Sequence, residues 1–184
     1  MAKSLSNIIR TGSPNTPLPV SFGGTGLTAT GNTGNILVSD GTNWNSTSTL
    51  SNYLSIKSLL ETATISSSAP TANTNFDVIT QAVQYYTSNT TTNFTFNIRG
   101  NSSIPLNSVM QVGQSATIAL LLTNSTTAYY PNAVQIDSAP QTIKWQGGTA
   151  VSAGNVSAID IYSYTIIKTA NNVYTLLGSQ TKFA

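Results

Sequence analysis

Two stretches of this chain alternate residue by residue, and that alternation restricts the fold more than any other feature. Phe94-Thr95-Phe96-Asn97-Ile98 and Ile159-Asp160-Ile161-Tyr162-Ser163-Tyr164 both have a period of two. That is the period of an extended strand, whose successive side chains point to opposite faces. In each stretch one face is apolar and the other polar or aromatic, the pattern of half-buried antiparallel strands. Comparable runs predict strands at Ala63–Ser67, Asp77–Tyr86, Thr92–Arg99, Ser115–Thr123, Ala128–Ile136, Thr142–Trp145, Ile159–Thr169 and Val173–Ser179. Turn signals separate them at Ala69-Pro70, Arg99-Gly100-Asn101, Gln146-Gly147-Gly148 and Ala170-Asn171-Asn172. Short strands at this spacing predict an all-β fold, with an antiparallel β-sandwich or jelly roll over 63–184.

Composition agrees. Only 7% of residues are charged, against about 25% in an average soluble protein. Thr, Ser and Asn supply the polar surface instead, and they suit strands and turns better than helix interiors. Such a chain differs from a disordered one, which carries high net charge and few aromatic or β-branched residues. The net charge is +2. Lys3, Arg10, Lys57, Arg99, Lys144, Lys168 and Lys182 are scattered rather than gathered in a stripe, which argues against nucleic-acid binding. There is no Cys and no His. That excludes disulfides, thiolate nucleophiles, imidazole bases and the usual zinc sites. No apolar run approaches the ~20 residues of a membrane span, and Met1-Ala2-Lys3-Ser4-Leu5-Ser6 lacks the apolar core of a signal peptide. The expectation is a protein made in a cytoplasm, with no membrane insertion.

Three segments precede the sandwich. Residues 1–19 read as an extended arm: Ile8, Ile9 and Arg10 form a small apolar-basic cluster, and Pro14, Pro17 and Pro19 forbid a helix. Such an arm needs a surface to lie on, either a neighbouring subunit or a larger particle. Residues 20–62 hold a small hairpin and a short helix. Gly23-Gly24 and Gly26 mark tight turns, Ile36-Leu37-Val38 a strand, Asp40-Gly41 a hairpin turn and Trp44 an apolar anchor. Leu50, Tyr53, Leu54 and Leu60 recur at helical spacing within 46–62. A hairpin this small is marginal alone. Three copies around an axis could bury Ile36, Val38 and Trp44 together, so these residues and Phe22, Leu50, Tyr53 and Leu54 are the candidate subunit-interface positions.

The Gly23-Gly24-Thr25-Gly26 turn, a short spacer, and an apolar strand ending in Ser39-Asp40-Gly41-Thr42-Asn43-Trp44 resemble the module of phage tail-fibre and appendage proteins. The segment from Ser115 resembles the C-terminal β domain of marine phage structural proteins. The residues that carry this second likeness are Gly113-Gln114, Thr117 to Leu122, Tyr129-Tyr130, Ile143-Lys144-Trp145-Gln146-Gly147-Gly148, Asp160 to Tyr164 and Gly178 to Phe183. The proline that often follows the Gly-Gly turn in those proteins is absent here. The resemblance implies a virion structural protein made in the host cytoplasm. It also implies a homotrimer, which cyclic closure of exposed strand edges would favour, in contact with other phage structural proteins of the tail, neck or capsid.

Chemistry is sparse. Asp40, Glu61, Asp77, Asp137 and Asp160 are widely spaced. A glycosidase needs two carboxylates about 5–10 Å apart, and only Asp137 and Asp160 are candidates to meet. Gly23-Gly24-Thr25-Gly26 lacks the Lys-Ser/Thr of a phosphate loop. No cofactor is expected. Tyr129, Tyr130, Trp145, Tyr162 and Tyr164 are candidate contacts for a host-surface glycan, since aromatic rings stack on sugar rings while Asn and Thr bond their hydroxyls. Against this stands the plainer reading that these rings fill the core and subunit interfaces. Three functions remain open: a non-enzymatic short tail fibre or neck appendage, a capsid decoration protein or head fibre, and a polysaccharide depolymerase, which the scattered acids disfavour.

Overall fold

A computed structural model describes residues 24–29, 31–33, 35–48 and 57–184. The chain divides into two compact units, 1–59 and 60–184. The predicted arm (1–19) and Phe22, Leu50, Tyr53 and Leu54 lie outside the described residues, as do residues 49–56 of the predicted helix; its described ends are not helical, since Ser46 and Thr47 belong to a strand and 57–62 hold no regular element.

In the first unit β1 (Ile36–Ser39) and β2 (Trp44–Thr47) form an antiparallel hairpin. Its turn is built by Asp40, whose Oδ1 accepts from the backbone N–H of Thr42 at 2.8 Å and of Asn43 at 2.7 Å. Gly41 sits at φ 93°, a conformation that costs a residue without Cβ little. The bonds from Asn43 and Thr42 hold the Asp40 carboxyl below its ordinary pKa. Ile36 pairs with Thr47 and Val38 with Asn45, whereas Trp44 pairs with Ser39. Cross-strand partners share a face, so Trp44 lies on the face of Leu37 and Ser39, opposite Ile36 and Val38. The three residues expected to be buried together are therefore split between two faces.

The second unit is all-β, two sheets closing over one core. The chain alternates between them. β3 (Ala63–Ser66), β5 (Val83–Asn89) and β7 (Ser115–Thr123) belong to one sheet; β4 (Asn73–Asp77), β6 (Phe94–Arg99) and β8 (Pro131–Ile136) belong to the other. β3, β5 and β7 run parallel, and so do β4, β6 and β8. Parallel neighbours need a crossover; here each crossover is itself a strand of the opposite sheet, so the chain winds in two-strand rungs. The second half then reverses direction. β8 turns back into β9 (Ala139–Pro140), and β11 (Ile159–Ala170) runs antiparallel to both β7 and β12 (Val173–Phe183). The short β10 (Ile143–Trp145) joins β12 in parallel. The sheets are thus six-stranded (β10-β12-β11-β7-β5-β3) and four-stranded (β4-β6-β8-β9).

This topology corrects two expectations. The sandwich is mixed rather than antiparallel, because alternation within a strand reports a buried face and not strand direction. The run predicted as one strand over Asp77–Tyr86 is broken. Asp77 ends β4, and the backbone N–H groups of Val78 and Ile79 bond Arg99 and Gly100 before the chain crosses to β5. Register then fixes which side chains fill the core. Phe76, Ile98 and Ile136 align across one sheet, and Ile118, Tyr164 and Gly178 across the other. Phe76, Phe94, Phe96, Ile98, Leu120, Leu122, Tyr162, Tyr164 and Ile166 are almost wholly buried. Each contributes about 1.5–3 kcal/mol of transfer free energy.

One helical turn absent from the sequence reading, α1 (Leu106–Val109), bridges β6 and β7. Leu106 is buried, and charges of opposite sign hold the two ends. Asp137 Oδ1 accepts from the Leu106 N–H at 2.7 Å and Oδ2 from Asn107 N–H at 3.0 Å. Lys168 Nζ donates to the carbonyls of Asn107 at 2.6 Å and Met110 at 2.8 Å. Both follow the polarity of the peptide dipoles. Asp137 and Ser138 take φ of 49° and 67°, the two positive values that a tight hairpin turn between β8 and β9 requires.

Candidate functional site

Two concavities of the second unit meet at Trp145. This residue ends β10 opposite Gly178 of β12, and the chain leaves it through a 3-10 turn, Gln146–Gly148. Gly147 and Gly148 both have positive φ, 74° and 77°, which explains why two glycines follow Gln146. The indole lies over Gly178: a Cβ there would come within 3.0 Å of Trp145 Cζ3. It meets the Tyr164 ring edge-on, with centroids 6.2 Å apart. The indole is thus wedged between backbone and core, and remains half-exposed.

A cleft of about 570 Å³ opens on one side of Trp145. Gln146, Thr149, Ser152, Asn155, Ser179 and Gln180 are among its lining residues. A second depression of about 380 Å³ lies between Trp145, Lys144, Gln146, Ser163, Thr165 and Leu177. The lining combines hydroxyls and amides with Val151 and Leu177 around one aromatic ring, with Lys144 the cation. Such a surface offers hydrogen bonds and a stacking face.

The wall of the larger cleft, residues 149–157, contains no regular element and is held from below by Asp160. This carboxylate is fully buried and accepts four hydrogen bonds. They come from Asn155 N–H at 2.8 Å, Asn155 Nδ2 at 2.6 Å, Asn124 Nδ2 at 3.1 Å and Gln180 Nε2 at 3.4 Å. Neutral amide donors thus satisfy a buried anion. Asn124 in turn receives the Thr90 hydroxyl and the Tyr129 N–H, and Gln180 also donates to the Tyr162 hydroxyl at 2.8 Å and the Ala153 carbonyl at 3.1 Å. Gly154 fits here because a Cβ would crowd the Tyr129 carbonyl and the Asn124 amide.

The candidate glycan contacts fall into two groups. Trp145, Tyr129 and Tyr130 are half-exposed. Tyr162 and Tyr164 have no exposed surface, so they are core residues and are removed from the candidates. Burial, followed by the nearby Asp160 charge, raises the Tyr162 phenol pKa; burial raises that of Tyr164 well above its ordinary value. Asp137 and Asp160 serve separate networks, α1 and the 149–157 segment. Asp77 pairs with Arg99 at 2.6 Å. Among the described residues no group of His, Cys, Asp or Glu could hold a metal ion, and no helix is long and apolar enough to cross a membrane. The sequence reading missed Gln180, Asn155 and the buried role of Asp160. An acid on the face shared by Tyr162 and Tyr164 was the available signal, since an acid facing a core needs donors.

Comparison of the chain with protein-family models, with curated proteins and with solved structures finds no match.

Proposed function

We propose that this chain is a non-enzymatic structural protein of a tailed-phage virion, a short tail fibre or neck appendage. In this reading it assembles as a homotrimer and docks on other virion proteins. The observation that carries the reading is the β1–β2 hairpin. Ser39-Asp40-Gly41-Thr42-Asn43-Trp44, the part of the sequence most like a fibre module, forms its turn, with Asp40 closing the loop. A rigid all-β unit follows, its polar surface built mainly of hydroxyls and amides. The Trp145 clefts supply an aromatic and amide surface for contact with host-surface glycans. The separate engagement of Asp137 and Asp160 by backbone and amide donors leaves neither as a free acid beside the other, which favours binding over hydrolysis.

Quantitative mass spectrometry of purified particles tests this. The proposal expects the chain in the virion at a few dozen copies at most. Hundreds of copies would make it a capsid decoration protein, and its absence from particles would end the virion reading. Release of reducing sugar from host polysaccharide would overturn the non-enzymatic part.

A further inference from the structure

Asn155 and Gln180 both line the larger cleft beside Trp145, and the groups behind them fix which way each side-chain amide faces. Asn155 Nδ2 donates to Asp160 Oδ1 at 2.6 Å. Gln180 Nε2 donates to the Tyr162 hydroxyl at 2.8 Å, the Ala153 carbonyl at 3.1 Å and Asp160 Oδ2 at 3.4 Å. A carboxylate and a backbone carbonyl can only accept. Turning either amide over would set oxygen against oxygen beside a fully buried anion. The NH₂ groups are therefore committed inward, and Asn155 Oδ1 and Gln180 Oε1 are left to face the cleft. Among the described residues no hydrogen bond reaches either oxygen. The hydroxyls of Thr149, Ser152 and Ser179 on the same lining serve as donor or acceptor, so the two amides alone have a fixed polarity.

We infer that the larger cleft takes an uncharged sugar unit, whose hydroxyls donate to Asn155 Oδ1 and Gln180 Oε1 beside the Trp145 indole, and that Asp160 sets this preference by orienting the two amides. Two fixed acceptors call for donors. A carboxylate or phosphate at this position would bring bare oxygens together, with the Asp160 charge behind them. Neither Lys nor Arg lines the cleft to offset that, and Lys144 lines only the smaller depression. No Asp or Glu lines it either, so an ammonium group would give up water for two neutral carbonyls. A hydroxyl donates without carrying charge, and the half-exposed indole offers its ring a stacking face. The volume, about 570 Å³, lies within the about 300–1,000 Å³ of small-ligand sites. Asp160 is a positioning residue here: it is buried beneath the cleft and acts through Asn155 and Gln180. The inference rests on the glycan part of the proposed function and names the kind of sugar.

The test applies the full chain, and Trp145→Ala beside it, to an array of three glycan sets. These are neutral hexose oligosaccharides, their O-methyl ethers, and their uronic-acid counterparts, in which a carboxylate replaces CH₂OH. The wild type should retain neutral oligosaccharides that Trp145→Ala loses. It should hold the methyl ethers and the uronic acids about tenfold more weakly or worse, the effect of one or two lost hydrogen bonds. Trp145-dependent retention of either substituted set as strong as that of the neutral set would overturn the inference and leave glycan contact standing. No Trp145-dependent retention of any glycan would overturn both. Gln180→Lys then addresses the amide itself. Its ammonium can satisfy Asp160 but offers no acceptor, so the preference for neutral over uronic chains should shrink about tenfold or reverse. An unchanged preference in Gln180→Lys with a wild-type circular dichroism spectrum would refute the role given to the amides. Should that variant fail to fold, the wild-type ranking of the three sets decides alone.

Discussion

The ring of Tyr164 stacks on that of Phe96, with centroids 5.5 Å apart and planes 27° from parallel. One belongs to β11 of the six-stranded sheet and the other to β6 of the four-stranded sheet, so this contact ties the sheets together at the centre of the core. Phe76 meets Phe96 edge-on from the neighbouring strand at 5.8 Å. Such ring pairs add about 0.5–1.5 kcal/mol beyond area burial. The Tyr164 hydroxyl is buried and bonds to nothing, so its ring is used for packing. Tyr164→Phe is expected to leave stability unchanged or raise it by about 1 kcal/mol, because an unpaired polar atom is removed. Tyr164→Ala should cost about 3–5 kcal/mol. Urea denaturation of both variants measures the contrast.

Asp160 is the anchor of the cleft wall. Asp160→Asn keeps the shape but turns an amide donor toward four donors, and about 2–3 kcal/mol of stability should be lost. Hydrogen exchange at the Asn155 amide should accelerate more than at β7. Equal acceleration at both sites would mean that the carboxylate serves the whole fold rather than the 149–157 segment.

Lys168 holds the C-terminal end of α1 through two carbonyls and is 5% exposed. Lys168→Met retains the apolar stem and removes the donors, which should cost about 2–4 kcal/mol. A calorimetric melt reads the loss.

Stability should decline in alkali. Burial raises the phenol pKa of Tyr86, Tyr162 and Tyr164, and that of Tyr174 is pushed up to about 12 by burial and by the Asp137 charge. Each therefore holds its proton more tightly when folded than when unfolded. Their contribution is complete below about pH 10, the unfolded value, and is lost as pH rises through the folded values. Denaturation midpoints should fall steadily above pH 10, and tyrosinate absorbance should show these four phenols ionising together with unfolding.

Gly178 leaves room for the Trp145 indole. Gly178→Ala places a methyl against Ile143 Cγ2 and the indole ring, so it should cost about 1–3 kcal/mol and shift Trp145 emission in a Trp44→Phe background. Trp145→Ala, with the fold retained, should abolish retention on immobilised host polysaccharide if the clefts bind glycan.

The strands were legible wherever alternation ran for five residues or more. Ser115–Thr123 was read to the residue, and β6 and β11 nearly so. β4 was missed because Asn73-Thr74-Asn75-Phe76-Asp77 looks like a turn, although Thr74 and Phe76 fill the core. α1 was missed because one helical turn has no period to detect; Asp137 and Lys168, 31 and 62 residues from Leu106, hold it. Strand direction was illegible because parallel and antiparallel strands share the same alternation. The orientation of β11 misled for a related reason. With isoleucines on one face and tyrosines on the other, hydropathy favours burying the isoleucines. Packing of Tyr164 on Phe96 and the amide donors around Asp160 decided otherwise, and in a strand that choice reverses every side chain at once.

Immunogold labelling of intact particles with an antibody to residues 60–184 tests the central claim most directly. Gold at the tail or neck of the particle is the predicted result, and gold spread over the capsid surface would make it a decoration protein instead. Gold confined to unassembled lysate protein, with clean particles, would contradict a structural role in the virion.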